Sequence, residues 1–217
     1  MVIARSNKAS DVRICSITRL LPPRFVLCWV SLLLVGEASS YSYFAIGSNM
    51  VVSTMTSLRN LTPISASAGI LPGYQLAFDI PGSFIEPSAA SVRKNKDAGN
   101  NVVHGVIYEL SESDFARLGA SEGVPFSYTW ERCRVVPYIG DGACAGQTAL
   151  QNGHAAVDAF VLTASPLLVR NSSNDIPPSR SYLNILRRGA LYWEMDQEYQ
   201  DMLARIQPGN VEGISGR

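Results

Sequence analysis

The chain has 217 residues, 47% of them hydrophobic and 17% charged, with 18 Lys and Arg against 18 Asp and Glu. That length and apolar content fit one folded domain and exclude a disordered or collagen-like chain. The charge is uneven: residues 1–40 hold Arg5, Lys8, Arg13, Arg19 and Arg24 against Asp11 and Glu37, which leaves residues 41–217 slightly acidic. An acidic body has no electrostatic reason to hold phosphates, so no nucleic acid is expected as a partner and a small molecule is the more natural one.

In chain order, a basic, Ser-containing lead runs into the apolar stretch Phe25 to Val35 and then Gly36-Glu37-Ala38-Ser39-Ser40. The stretch falls short of the ~20 residues that span a bilayer, so no stable membrane span is expected in the mature chain. Lead, apolar core and small residues at Ala38 and Ser40 predict a secretory signal cleaved before Tyr41; the same acid-poor lead also suits an organellar transit peptide. Without such a leader the protein is expected in the cytoplasm. Residues 1–40 are therefore set apart, and 41–217 is read as one domain.

Within that domain, Tyr43 to Ile46 reads as a strand stopped by the turn Gly47-Ser48-Asn49, and Leu76 to Ile80 as a second strand. Residues 82–101 read as a Ser/Lys/Asn-rich loop. Val102 to Leu110 is the clearest strand, with Gly105 marking a close approach. Ser111 then caps a short helix that delivers the chain to Glu122-Gly123-Val124. Tyr128 to Tyr138 and Ala155 to Thr163 are further strands, separated by a hairpin-like turn at Gly140, Gly142 and Gly146. Ser179 caps a helix through Tyr182 and Leu186 that ends at Gly189, and Met195, Tyr199, Met202, Leu203 and Ile206 recur on one face of a last helix. Strands first and helices last predict an α+β fold.

Few chemical signatures are present. His104 and His154 have no partners at ligand spacing, so neither a metal site nor a Ser/His/Asp set is expected. Cys133 and Cys144 permit at most one disulfide and are equally compatible with two free thiols. The triplets beginning at Asn60 and Asn171 are glycosylation acceptors only in a secretory setting. Glu122, after a short helix and beside Gly123, is the natural candidate for proton transfer, and the Gly47 to Asn49 turn offers backbone amides to an anion.

Together these residues resemble the gamma-glutamylcyclotransferase family (AIG2-like). Tyr43-Phe44-Ala45-Ile46-Gly47-Ser48-Asn49 matches its Y-F-A-Y-G-S-N motif except at Ile46. Val103 to Tyr108 resembles its W-G-V-V-W strand, Glu122-Gly123-Val124 its E-G-V, and Pro177 to Tyr182 with Gly189-Ala190 its P-P-S-x-x-Y and G-A segments, over about 41–207. The resemblance implies a small β-barrel with flanking helices. It implies a lyase of the gamma-glutamyl cycle and of glutathione metabolism that needs no cofactor and releases 5-oxoproline from a small-molecule γ-glutamyl substrate. Glu122 would be general base and acid, Tyr43, Phe44, Ala45, Ile46, Gly47 and Ser48 would hold the γ-glutamyl group, and Tyr182 would add a hydroxyl. Replacement of the family tyrosine by Ile46 raises a second reading, a binding domain without turnover. A glutathione-specific enzyme ranks lower, because ChaC-type relatives carry Y-G-S-L where Asn49 follows Ser48 here. Homodimerisation stays open.

Overall fold

The computed structural model describes residues 39–95, 101–140, 142–168 and 175–209. Residues 1–38 of the expected leader and Asn171 lie outside them; Ser40, the last residue of the expected leader, is the first of the barrel's first strand. Among the described residues the strands are β1 (Ser40–Ala45), β2 (Ser65–Pro72), β3 (Tyr74–Pro81), β4 (Ser88–Lys94), β5 (Val102–Ser111), β6 (Tyr128–Pro137) and β7 (Val157–Ala164). Four helices are α1 (Glu112–Ser121), α2 (Ala145–Gln151), α3 (Arg180–Tyr192) and α4 (Gln197–Arg205). Five strands close into a barrel in the order β1-β5-β2-β6-β7, and β3 and β4 form a separate antiparallel pair. Closure is made by the parallel contact of β1 with β7, Tyr43 opposite Phe160 and Phe44 opposite Val161, which removes the open sheet edge. The α+β barrel with flanking helices is therefore as expected.

β5 is the spine of the barrel because it pairs with β1 along one edge and β2 along the other. Its β-branched residues suit that doubly paired position, and Val103, Val106, Tyr108 and Leu110 are all buried. Gly105 permits the close approach anticipated from sequence. A Cβ there would lie 2.3 Å from the Ala45 carbonyl oxygen and 2.7 Å from the Phe44 ring. Both helix caps also stand where expected: Ser111 Oγ accepts the Asp114 N–H at 3.2 Å, and Ser179 Oγ accepts the Tyr182 N–H at 3.0 Å.

β2 stands where no element was expected, and three further elements differ from expectation, each for a tertiary reason. Ser88–Lys94, read as part of a loop, is β4, in register with β3 from Tyr74 opposite Lys94 to Pro81 opposite Ser88. Its small and polar residues lack strand propensity; instead Ser88 Oγ donates to the Ile176 carbonyl at 2.7 Å and Ser91 to the Asp79 carboxylate, so long-range bonds hold it. The Gly140 to Gly146 segment is not a plain hairpin turn, since α2 opens at Ala145. The carboxylate of Asp196 accepts the Gly146 and Gln147 N–H groups at 2.8 Å each, a cap delivered from far along the chain. Finally, α3 does not stop at Gly189 but continues to Tyr192. Gly189 is there for packing: a Cβ would come within 3.0 Å of the Met50 Cβ. Cys133 and Cys144 are both free, the first buried and the second exposed.

Candidate active site

Glu122 owes its place to the way α1 ends. Its N–H still bonds the Leu118 carbonyl at 3.0 Å, and the next residue, Gly123, adopts a left-handed backbone with φ 71°. That conformation suits glycine, and it lets Val124 N–H return to the Gly119 carbonyl at 3.0 Å, closing the helix C-terminus before β6 begins. The Glu-Gly pair thus fixes the carboxylate at a defined end of a rigid element. The Glu122 side chain is only 11% exposed.

The Gly47-Ser48-Asn49 turn supplies the other wall. β1 ends at Ala45, and Ser48–Met50 makes a single 3₁₀ turn closed by Met50 N–H to the Gly47 carbonyl at 3.0 Å. Asn49, 5% exposed, sends its Nδ2 both to Tyr43 Oη at 2.9 Å and to Glu122 Oε1 at 2.7 Å. The chain then widens into the π-helical turn Thr54–Leu58, which presents Arg59 back toward the same point. Arg59 Nη2 lies 2.6 Å from Glu122 Oε1, Nε donates to Asn49 Oδ1 at 2.8 Å, and Nη1 donates to Ser121 Oγ at 2.7 Å.

Tyrosines line the remaining approach. Tyr182, from the first turn of α3, accepts the Ala90 backbone N–H at 3.1 Å. Its hydroxyl sits so close to the turn that a Cβ on Gly47 would fall 2.8 Å away, which explains glycine there. Tyr128 donates to the Ala90 carbonyl at 3.1 Å, so one residue of β4 is held from both sides. Burial, with the charge of Glu122 added, pushes the Tyr43 and Tyr128 phenols well above their ordinary range. Burial also raises Tyr182, to about 12, although the Ala90 and Ser48 amides beside its hydroxyl work in the opposite direction. All three therefore keep their protons at neutral pH.

The expected site residues separate into two groups. Tyr43, Gly47, Ser48, Tyr182 and Glu122 converge as described, whereas Phe44 and Ile46 point into the hydrophobic core, at 0% and 4% exposure, and Ala45 is wholly buried. Ile46 thus occupies a packed apolar position. Sequence reasoning missed Arg59 and Tyr128 and left Asn49 without a role. Asn49 at least sat inside the recognised motif, but only contact across the fold singles out Arg59 and Tyr128. His104, buried in β5, is bonded through Nδ1 to the Tyr138 hydroxyl and stacks on Tyr199 at 4.6 Å. Burial lowers its pKa to about 4. Among the described residues, no group of three or more His, Cys, Asp or Glu is placed to hold a metal ion, and no helix is long and apolar enough to cross a membrane.

A family model described as "Gamma-glutamyl cyclotransferase, AIG2-like" matches residues 43–177, more than half of the chain. The chain belongs to this family of enzymes. Its similarity to the gamma-glutamyl cyclotransferase gliK of Claviceps purpurea is 28% identity over 162 residues, 71% of this chain but 65% of that protein, just under two thirds of its length. The gamma-glutamylcyclotransferase of Mus musculus is 25% identical over 178 residues, covering 82% of this chain and 84% of the relative. A solved structure named gamma-glutamyl cyclotransferase shares the fold with a TM-score of 0.61 at 21% identity, over 82% of this chain and 94% of that one. A yeast cyclotransferase described as specific to glutathione also shares the fold, with a TM-score of 0.54 at 13% identity, over 77% of this chain and 94% of that one.

Proposed function

We propose that the protein converts a γ-glutamyl amino acid or γ-glutamyl amine to 5-oxoproline and the free amine, with Glu122 as both base and acid. The observation that carries this reading is the sheltered Glu122 carboxylate bonded to the family's Gly-Ser-Asn turn, in a cluster where the tyrosines hold their protons. In the reaction the substrate's α-ammonium first gives a proton to Glu122. The freed amine then attacks the γ-carbonyl carbon, closing a five-membered ring. Glu122 gives its proton to the leaving nitrogen as that bond breaks, then takes the second proton from the new ring nitrogen and passes it to the departing amine. The attacking nitrogen ends as the lactam N–H, the amine leaves in its ammonium form and Glu122 is again a carboxylate.

The turn from Gly47 to Asn49 is suited to the γ-glutamyl end, with Tyr182 holding it against β4. Confining the substrate in the ring-closing geometry makes the attack effectively unimolecular, which supplies much of the acceleration. The burial of Ile46 supports turnover rather than binding alone, because a packed side chain at that position leaves the polar cluster intact.

The test is incubation of the purified full chain with γ-glutamyl-alanine, with 5-oxoproline measured directly and glutathione run in parallel. Release from the dipeptide, faster than from glutathione and abolished in Glu122→Gln, is the expected result. Faster cleavage of glutathione would reverse the substrate preference. Ligand binding without release would identify a binding domain instead.

A further inference from the structure

We propose that Arg59 is a positioning residue that commits one oxygen of Glu122 to structure and leaves the other, Oε2, to move the proton. The proposal rests on the functional reading above and adds to it a division of labour within the carboxylate.

The geometry is a closed ring of two hydrogen bonds and one ion pair. Arg59 Nε donates to Asn49 Oδ1 at 2.8 Å, Asn49 Nδ2 donates to Glu122 Oε1 at 2.7 Å, and Arg59 Nη2 reaches the same Oε1 at 2.6 Å. Both donors converge on Oε1; among the described residues Oε2 accepts no hydrogen bond. The ring also sets the orientation of the Asn49 amide. Turned over, that amide would aim its NH₂ at the guanidinium and its oxygen at the carboxylate, two repulsive contacts in place of two bonds. Through Nη1, Arg59 is tied in addition to Ser121 Oγ at 2.7 Å, and Ser121 itself donates to the Leu118 carbonyl at 2.9 Å in the last turn of α1. One planar fork thus joins the Gly-Ser-Asn turn to the helix end that carries Glu122. Lysine, with one ammonium point, cannot bridge three acceptors in this way. At 15% and 11% side-chain exposure the pair is sheltered, so its geometry is not averaged away by water.

Steady-state kinetics of Arg59→Gln and Arg59→Lys on γ-glutamyl-alanine, beside wild type, test the proposal. Positioning predicts that kcat falls about 10–100-fold in both variants while KM stays within about threefold. Full kcat in Arg59→Lys would mean that charge alone is needed and would overturn the bridging role. A rise in KM with kcat retained would overturn it too, making Arg59 a contact for the substrate's own carboxylate. A second readout does not depend on turnover: the Asn49 side-chain amide, with both protons bonded, gives a slowly exchanging NMR signal in wild type. That protection is lost in Arg59→Gln if Arg59 holds the ring and persists if it does not. If wild type releases no 5-oxoproline the functional reading fails, and the amide signal alone still decides whether Arg59 fixes Glu122.

Discussion

Two buried polar clusters in this protein are made from the same materials, a carboxylate, tyrosine hydroxyls and backbone amides, and come to different ends. Around Asp196 both oxygens are engaged: one takes the Gly146 N–H, the other takes Gln147, and the Asp196 N–H goes to Tyr138, whose hydroxyl meets His104. Around Glu122 both donors crowd onto Oε1. Both oxygens of Asp196 are thus taken up in capping a helix, whereas the bonds to Glu122 fall on one oxygen, the difference on which the proposed division of labour within Glu122 rests. Burial alone does not separate the two, since Asp196 is 1% exposed and the Glu122 side chain 11%.

The contrast breaks most visibly through substitution of each carboxylate. Glu122→Gln is expected to lower kcat by about 10²–10⁴-fold with little change in melting temperature, read by 5-oxoproline release and by thermal melting of the same sample. A large loss of stability in that variant would place Glu122 with Asp196 as a structural group.

The next effect is on stability against pH, through His104. Its pKa in the fold, about 4, lies below the ordinary 6.5, because burial disfavours the imidazolium. Between those values the unfolded chain binds the extra proton, so stability rises with pH across the window and is lost as pH falls from 6.5 toward 4, by up to about 3 kcal/mol from this group. Melting temperatures of wild type and His104→Gln measured across that window test it; an identical pH slope in the two proteins would remove His104 as the cause.

Asp196→Ala is expected to cost about 2 kcal/mol of stability, because two α2 amides lose their acceptor, while kcat measured well below the melting temperature is retained. Tyr182→Phe is smaller, about 1–2 kcal/mol, since it strips the acceptor from the Ala90 amide; KM rises severalfold as the turn loosens. Smallest is Tyr199→Phe. The Tyr199 hydroxyl is buried with no hydrogen-bond partner among the described residues, so its removal is expected to be neutral or to stabilise by up to about 1 kcal/mol. Denaturant titration of the variants gives these differences, and destabilisation by Tyr199→Phe would reveal a bond that the hydroxyl makes.

How far the sequence carried depended on the span of the interaction concerned. The Ser111 and Ser179 caps, the β5 strand and the Gly47 turn were legible because each depends on residues a few positions apart. β2 and β4 were not, since SASAGILP and SAASVRK carry little strand propensity and are held by neighbours far along the chain. In the site, Glu122 was legible from its Glu-Gly pair and the family resemblance. Arg59 was not, because a lone arginine after a short polar run has no local mark until the fold brings it to 2.6 Å from the carboxylate.

The sequence by itself determined local stops and starts: where α1 and α3 begin, where Gly123 ends α1, and that a Gly-Ser-Asn turn follows the first strand of an α+β domain. These follow from backbone sterics and short-range hydrogen bonds, which depend only on neighbouring residues. Tertiary structure alone decided the closure of the barrel, the remote capping of α2 by Asp196 and the meeting of Asn49, Arg59 and Glu122. Those contacts join residues tens of positions apart, and their geometry is set by the packing of the whole core, which no local pattern of the chain records.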